Sequence, residues 1–259
     1  MVDRILAVLS SAWGMVTDIP LPGFLRGRAG VVEDDDAEFI SLSFPVVGLL
    51  FGFILFVLGW LIGNIFSPGI SGVLFGILCV LLSEVKDSGR GFGLSLSYVE
   101  NLVNGEGPGG SFRDLESDWR SFSGLVATLT GVILLGLKFF CFRELYLCGS
   151  SSWVMGVFVL GFGVQGYLSG CRSIYTGESF LGLSGSARYH IWLVCIFIML
   201  FYISHPAPVL LSLLVSVLLS IYFGRYAEES YHGLDASMIT LIGVFTELAV
   251  LVIGVVLLV

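Results

Sequence analysis

Seven long apolar stretches run through this chain, over residues 44–66, 67–83, 123–142, 153–171, 188–204, 207–224 and 239–259. A helix needs about 20 apolar residues to cross the hydrocarbon core of a bilayer. Lipid offers no partner to a backbone N–H or C=O, so a spanning stretch satisfies its own by coiling into a helix. Composition points the same way: 56% of the residues are hydrophobic and 12% charged, against about 25% charged in soluble domains. The expected fold is all-α, a polytopic membrane helix bundle of about seven transmembrane helices. It forms a single integral membrane domain over residues 1–259, because no polar segment is long enough to fold by itself.

The second stretch is short and contains Pro68, and positive charge decides whether it counts. With seven spans, Arg4, Arg26, Arg28, Lys86, Arg90, Arg113, Arg120, Arg172, Arg188 and Arg225 fall on one side and Arg143 on the other. Without the second stretch the split becomes four against seven. Lysine and arginine accumulate on the cytoplasmic side of membrane proteins. That asymmetry predicts seven spans in the inner or plasma membrane of the cell, with the amino end in the cytoplasm. Residues 84–122 then form a cytoplasmic loop between the second and third spans, rich in charge and glycine. Ahead of the first span, residues 5–16 set Ile5, Leu9, Ala12, Trp13 and Val16 on one face. This is the pattern of a short interfacial or half-inserted helix. Asp18-Ile19-Pro20-Leu21-Pro22 ends it, because proline cannot continue a helix and restricts the residue before it.

Two ionisable side chains fall deep inside apolar stretches. Lys138, in the third, would cost roughly 2.5–3.5 kcal/mol on insertion scales unless it snorkels outward beside Arg143 or pairs within the bundle. Glu247, in the last, has no comparable exit. It belongs either to a functional site or to a structural pair with Lys138 or a hydroxyl-rich helix. Glycines inside the stretches, among them Gly48, Gly52, Gly131, Gly136 and Gly161, mark close helix approach. Five cysteines without CxxC spacing read as small apolar residues. Three histidines without mutual ligand spacing give no zinc site. A net charge of −8 argues against nucleic acid as a partner. The lipid bilayer is the partner that composition implies, and a homo-oligomer or a membrane partner protein stays open.

Four landmarks, in order along nearly the whole chain, resemble the cobalamin synthase family, the adenosylcobinamide-GDP ribazoletransferases. Thr17-Asp18-Ile19-Pro20-Leu21-Pro22 is similar to that family's early TRIPLP segment. Phe44-Pro45-Val46-Val47-Gly48-Leu49-Leu50-Phe51-Gly52 looks like the FPLVGLLIG that opens its first span. Gly124 and, fourteen residues on, Lys138 resemble a glycine-rich start and a buried lysine in the span after the active loop. Gly233, Asp235 and Glu247-Leu248 resemble a TGD…GA…E…EL ending. The first two are the more specific.

The resemblance implies a membrane transferase that faces the cytoplasm, joins α-ribazole (or its 5′-phosphate) to adenosylcobinamide-GDP and releases GMP. Its partners would be the nucleotide-activated corrinoid and α-ribazole, and its cofactor Mg²⁺ bridging phosphate oxygens. On this reading Glu84, Asp87 and Asp118 hold the metal, and Asp87, Asp235 and Glu247 serve catalysis. Arg90, Arg120 and Lys138 bind substrate. The sequence departs from the family where the metal ligands belong. The family follows its second span with HLDGLADTADG; this chain reads Glu84-Val85-Lys86-Asp87-Ser88-Gly89-Arg90-Gly91-Phe92-Gly93-Leu94. With Asp87 on the first aspartate of that motif, Gly91 and Leu94 stand at the other two. Asp118-Trp119-Arg120 keeps the aspartate and arginine of a later DSRxG signature, but Gly124 meets its glycine only across a gap. The alternative is a non-catalytic relative, kept as a membrane scaffold or partner subunit after losing those ligands. A small transporter subunit is the third reading, drawn from hydropathy, Lys138 and Glu247.

Overall fold

Helices occupy all seven apolar stretches in the computed structural model, which describes residues 2–20, 37–103, 125–171, 187–202, 205–231 and 233–259. In chain order they are α1 (Val2–Val16), α2 (Ala37–Leu42), α3 (Phe44–Ile65), α4 (Pro68–Val85) and α5 (Arg90–Val103). There follow α6 (Leu125–Leu147), α7 (Trp153–Ser169), α8 (Ala187–Met199), α9 (Pro206–Tyr231) and α10 (Ala236–Leu258). No strand occurs among the described residues. Four helical stretches there are long and apolar enough to cross a bilayer: Glu38–Ile65, Pro68–Val85, Pro206–Tyr226 and Ala236–Leu258. α7 and α8 are apolar but shorter, and α6, at 23 residues, carries Lys138, Arg143 and Glu144. This is the helix bundle of an integral membrane protein.

α7 stands at its centre. Every one of its 17 residues except Met155 is buried, as expected of a helix that is apolar all round and has protein on each side. α3 and α10 pack most extensively against it, both antiparallel. Gly48 and Gly52 bring α3 onto the α7 backbone, since a methyl at either would overlap the main chain of Phe158 or Met155. Lipid supplies no hydrophobic drive between helices, so close van der Waals packing of this kind holds them together. Phe51 adds an edge-on ring contact to Phe158 at 4.8 Å. On the opposite side Trp153 Nε1 donates to the Val250 carbonyl at 3.1 Å. Gly161 leaves the space that Glu247 occupies. Gly136, by contrast, faces open space, so close approach does not explain it.

Pro68 opens α4 and does not interrupt it. Ser67 is extended (φ −63°, ψ 152°) and Pro68 takes the first helical turn, where an N–H would have no helical partner. The marginal second stretch is therefore a true helix.

α1 is a short apolar helix laid against α2 and α3. The Arg4 guanidinium lies 5.8 Å from the Phe39 ring in α2, while Ile19 and Pro20, beyond the other end of α1, share a groove with Phe53 and Ile54 half-way along α3. Its inward face is Ala7, Val8, Ala12 and Val16, and Ile5 is exposed, so the buried stripe is turned from the predicted one. Both sides of a helix in lipid are apolar, and hydropathy does not tell which of them meets protein.

Candidate functional site

The segment expected as a cytoplasmic loop over 84–122 begins inside the bundle. α4 and α5 follow one course, antiparallel to α6. Gly76 lies against Phe139, Glu84 reaches Lys138, and Phe92 and Leu96 flank Gly131. The pair is a single track broken at residues 86–89. α5 buries Gly91, Gly93, Leu94, Ser95, Leu96, Ser97 and Tyr98. Its glycines and serines read as a polar linker by hydropathy, yet their small size lets the helix pack closely on α6 and α10. Residues 104–122, with Asp118 and Arg120, lie outside the described residues.

The break has defined hydrogen bonding. The Gly89 N–H donates to the Glu84 carbonyl at 2.7 Å and the Ser88 N–H to that of Val85 at 3.2 Å, with Ser88 at φ 55°. That is the Schellman ending, with serine where glycine is usual. Asp87 Oδ2 accepts from the Gly91 N–H at 3.1 Å and so caps the first turn of α5. The Lys86 carbonyl, released from helical pairing, accepts from the Asp18 N–H at 2.5 Å. Trp13 Nε1 donates to the Ile19 carbonyl at 2.8 Å and holds that turn in shape. The proline-containing segment after α1 is thus docked on the break.

Charged side chains converge there. Glu84 pairs with Lys138, Nζ to Oε1 at 2.5 Å. Lys86 pairs with Glu247, and the two are 1% and 3% exposed. The Lys86 ammonium also stands 4.9 Å from the Phe162 ring and 5.2 Å from that of Phe158, within the range of cation–π attraction. Lys138 is the fourteenth of 23 residues in α6 and Glu247 the twelfth of 23 in α10, so the cluster lies about half-way along both helices. Asp87 is electrostatically coupled to Lys86, Glu247 and Glu84, and its Oδ1 is buried without a hydrogen-bond partner.

Of the expected site residues, the structure unites Glu84, Asp87, Lys138 and Glu247. It separates Asp235, which caps α10 by accepting from the Met238 N–H at 2.6 Å and stands twelve residues before Glu247, roughly 18 Å along the axis. Arg90, the first residue of α5, is exposed on the surface of the bundle. Glu247 takes Lys86, and Lys138 takes Glu84, in place of the direct Lys138–Glu247 pair; Arg143 pairs with its neighbour Glu144. Lys86 is the member that sequence reasoning assigned to water. The signal was present: a carboxylate deep in the last span calls for a cation, and the chain has just two lysines, Lys86 and Lys138.

The donor set was tested against Mg²⁺. Glu84 is committed to Lys138 and one Asp87 oxygen to the Gly91 N–H. Among the described residues no three His, Cys, Asp or Glu side chains are grouped to hold a metal ion. The described cluster does not fit a ready-made magnesium site.

The sequence pattern of the family described as cobalamin-5-phosphate synthase matches residues 8–85. Over these residues the chain is similar to the cobalamin synthase family. The matched segment runs from the middle of α1 to the last residue of α4 and stops where the charged break begins. It includes both the Thr17–Pro22 turn and the glycine face of α3 that packs on α7. No curated protein and no solved structure matches the chain. That match, with the apolar helices of the bundle, supports a membrane protein of cobalamin biosynthesis.

Proposed function

We propose that the chain is a membrane transferase of the cobalamin synthase type, joining α-ribazole (or its 5′-phosphate) to adenosylcobinamide-GDP. The observation that carries this reading is the docking of Asp18, within the family-like Thr17–Pro22 sequence, onto the break through its 2.5 Å bond to the Lys86 carbonyl. In the reaction a ribose hydroxyl oxygen attacks phosphorus, the phosphoanhydride bond to GMP breaks, and the hydroxyl proton is released. Such transfers are catalysed mainly by positioning and charge stabilisation. Asp87 Oδ1 is buried without a hydrogen-bond partner and is an oxygen at the break to which a substrate hydroxyl would donate. Purified protein supplied with adenosylcobinamide-GDP and α-ribazole is expected to release GMP, and Asp87→Asn to slow release at least tenfold. No GMP from the wild type, under conditions where an intact relative works, would remove the reading.

One observation favours a second reading, a non-catalytic relative acting as a scaffold or partner subunit. Glu84 and Glu247 are each already neutralised by a lysine, which leaves less free carboxylate than the aspartate-rich motif of the family supplies.

A further inference from the structure

The resemblance puts a divalent cation against the carboxylates that follow the second span. In this chain that place holds two ammonium groups. Lys86 lies among Glu247 and the rings of Phe158 and Phe162, and Lys138 lies on Glu84. An aromatic face attracts an ammonium group, whereas Mg²⁺ demands near-octahedral oxygen ligands and gives up water reluctantly. The surroundings of Lys86 therefore suit an organic cation, and among the described residues no three carboxylate, thiol or imidazole side chains are grouped there to hold a metal ion. The slot for its partner is equally specific, because any side chain at Gly161 would collide with Glu247 Cγ.

We infer that Lys86 and Lys138 are the resident cations of the break, and that Glu84 and Glu247 take up no divalent metal while the lysines are in place. The inference concerns how the fold is held and does not rest on the transferase reading. The substitution of the aspartate motif by Glu84-Val85-Lys86-Asp87 is then an exchange of one kind of positive charge for another.

The test is thermal melting of the full chain in detergent, with and without millimolar Mg²⁺ or Mn²⁺. The wild-type melting temperature is expected to stay unmoved by either ion. Removing one partner of a buried pair strands the other, so Lys86→Gln should melt roughly 10 °C lower, and Lys86→Gln with Glu247→Gln should regain most of the loss. If Lys86→Gln yields no folded protein, the double variant decides: recovery of folding supports the pairing, and failure to recover overturns it. Lys86→Gln melting like the wild type also overturns the inference. So does a wild-type rise with Mg²⁺ that disappears in Glu84→Gln or Glu247→Gln. A rise that survives both substitutions locates the ion elsewhere and supports the lysines as counter-ions. Melting reports on the pairs whether or not GMP is released, so a failed transferase assay leaves this result standing.

Discussion

At the scale of single residues, the bundle depends on where a methyl group is missing. Gly161 faces the Glu247 side chain with no room for a Cβ, whereas Gly136 has nothing within 4 Å. Gly161→Ala should destabilise by about 1–3 kcal/mol, the range for overpacking a tight site. Gly136→Ala should be neutral or gain up to about 1 kcal/mol from helix propensity. Melting of the two variants side by side checks this, and equal behaviour would remove the packing argument. Lys138 and Glu247 were legible as special because each lies inside a span-length apolar stretch. Their partners were not, since pairing is settled by which helices lie side by side. Lys86 was hidden for another reason: it follows the end of an apolar run, where a lysine ordinarily meets water.

Among the elements, the broken α4–α5 track is the feature that hydropathy obscures. Non-helical backbone is tolerated within a membrane protein where protein surrounds it, and here the Schellman ending, the Asp87 cap and Asp18 satisfy the freed groups. Ser88 adopts φ 55°, a conformation that costs most L-residues roughly 1–2 kcal/mol. Ser88→Gly is therefore expected to raise the melting temperature by a few degrees. A lower value would mean that the serine hydroxyl contributes a bond which outweighs the strain. By sequence α5 looks like loop because the stretch it lies in is rich in charge and glycine. In three dimensions the same residues let it lie close to α6 and α10. α1 shows the converse: periodicity indicates a short helix there, but not which side faces protein.

For the molecule as a whole, the helix bundle and the membrane setting are readable from apolar length, and the family resemblance from Thr17–Pro22 and Phe44–Gly52. The buried position of Lys86 changes the charge tally that orients the bundle. Removing it from the ten positive residues on one side leaves nine, against Arg143 on the other. The asymmetry persists, so the expectation from charge is unchanged: an amino end in the cytoplasm and the α6–α7 turn outside. Cys148 in that turn is exposed, while Cys79, Cys141, Cys171 and Cys195 are buried. A membrane-impermeant maleimide applied to intact cells should label the protein, and Cys148→Ser should abolish the label. Labelling only after the membrane is opened would reverse the orientation. The charged break was the least legible part, because the segment after α1 and the helices α4, α6, α7 and α10 each supply a piece of it.

The Lys86–Glu247 pair joins residues 161 positions apart. At ribosomal rates of about 5–20 residues per second, the lysine is made roughly 10–30 s before its carboxylate. Through that interval Lys86 is without the counter-charge that it has in the folded bundle, so the break can close only after the last helix has been made.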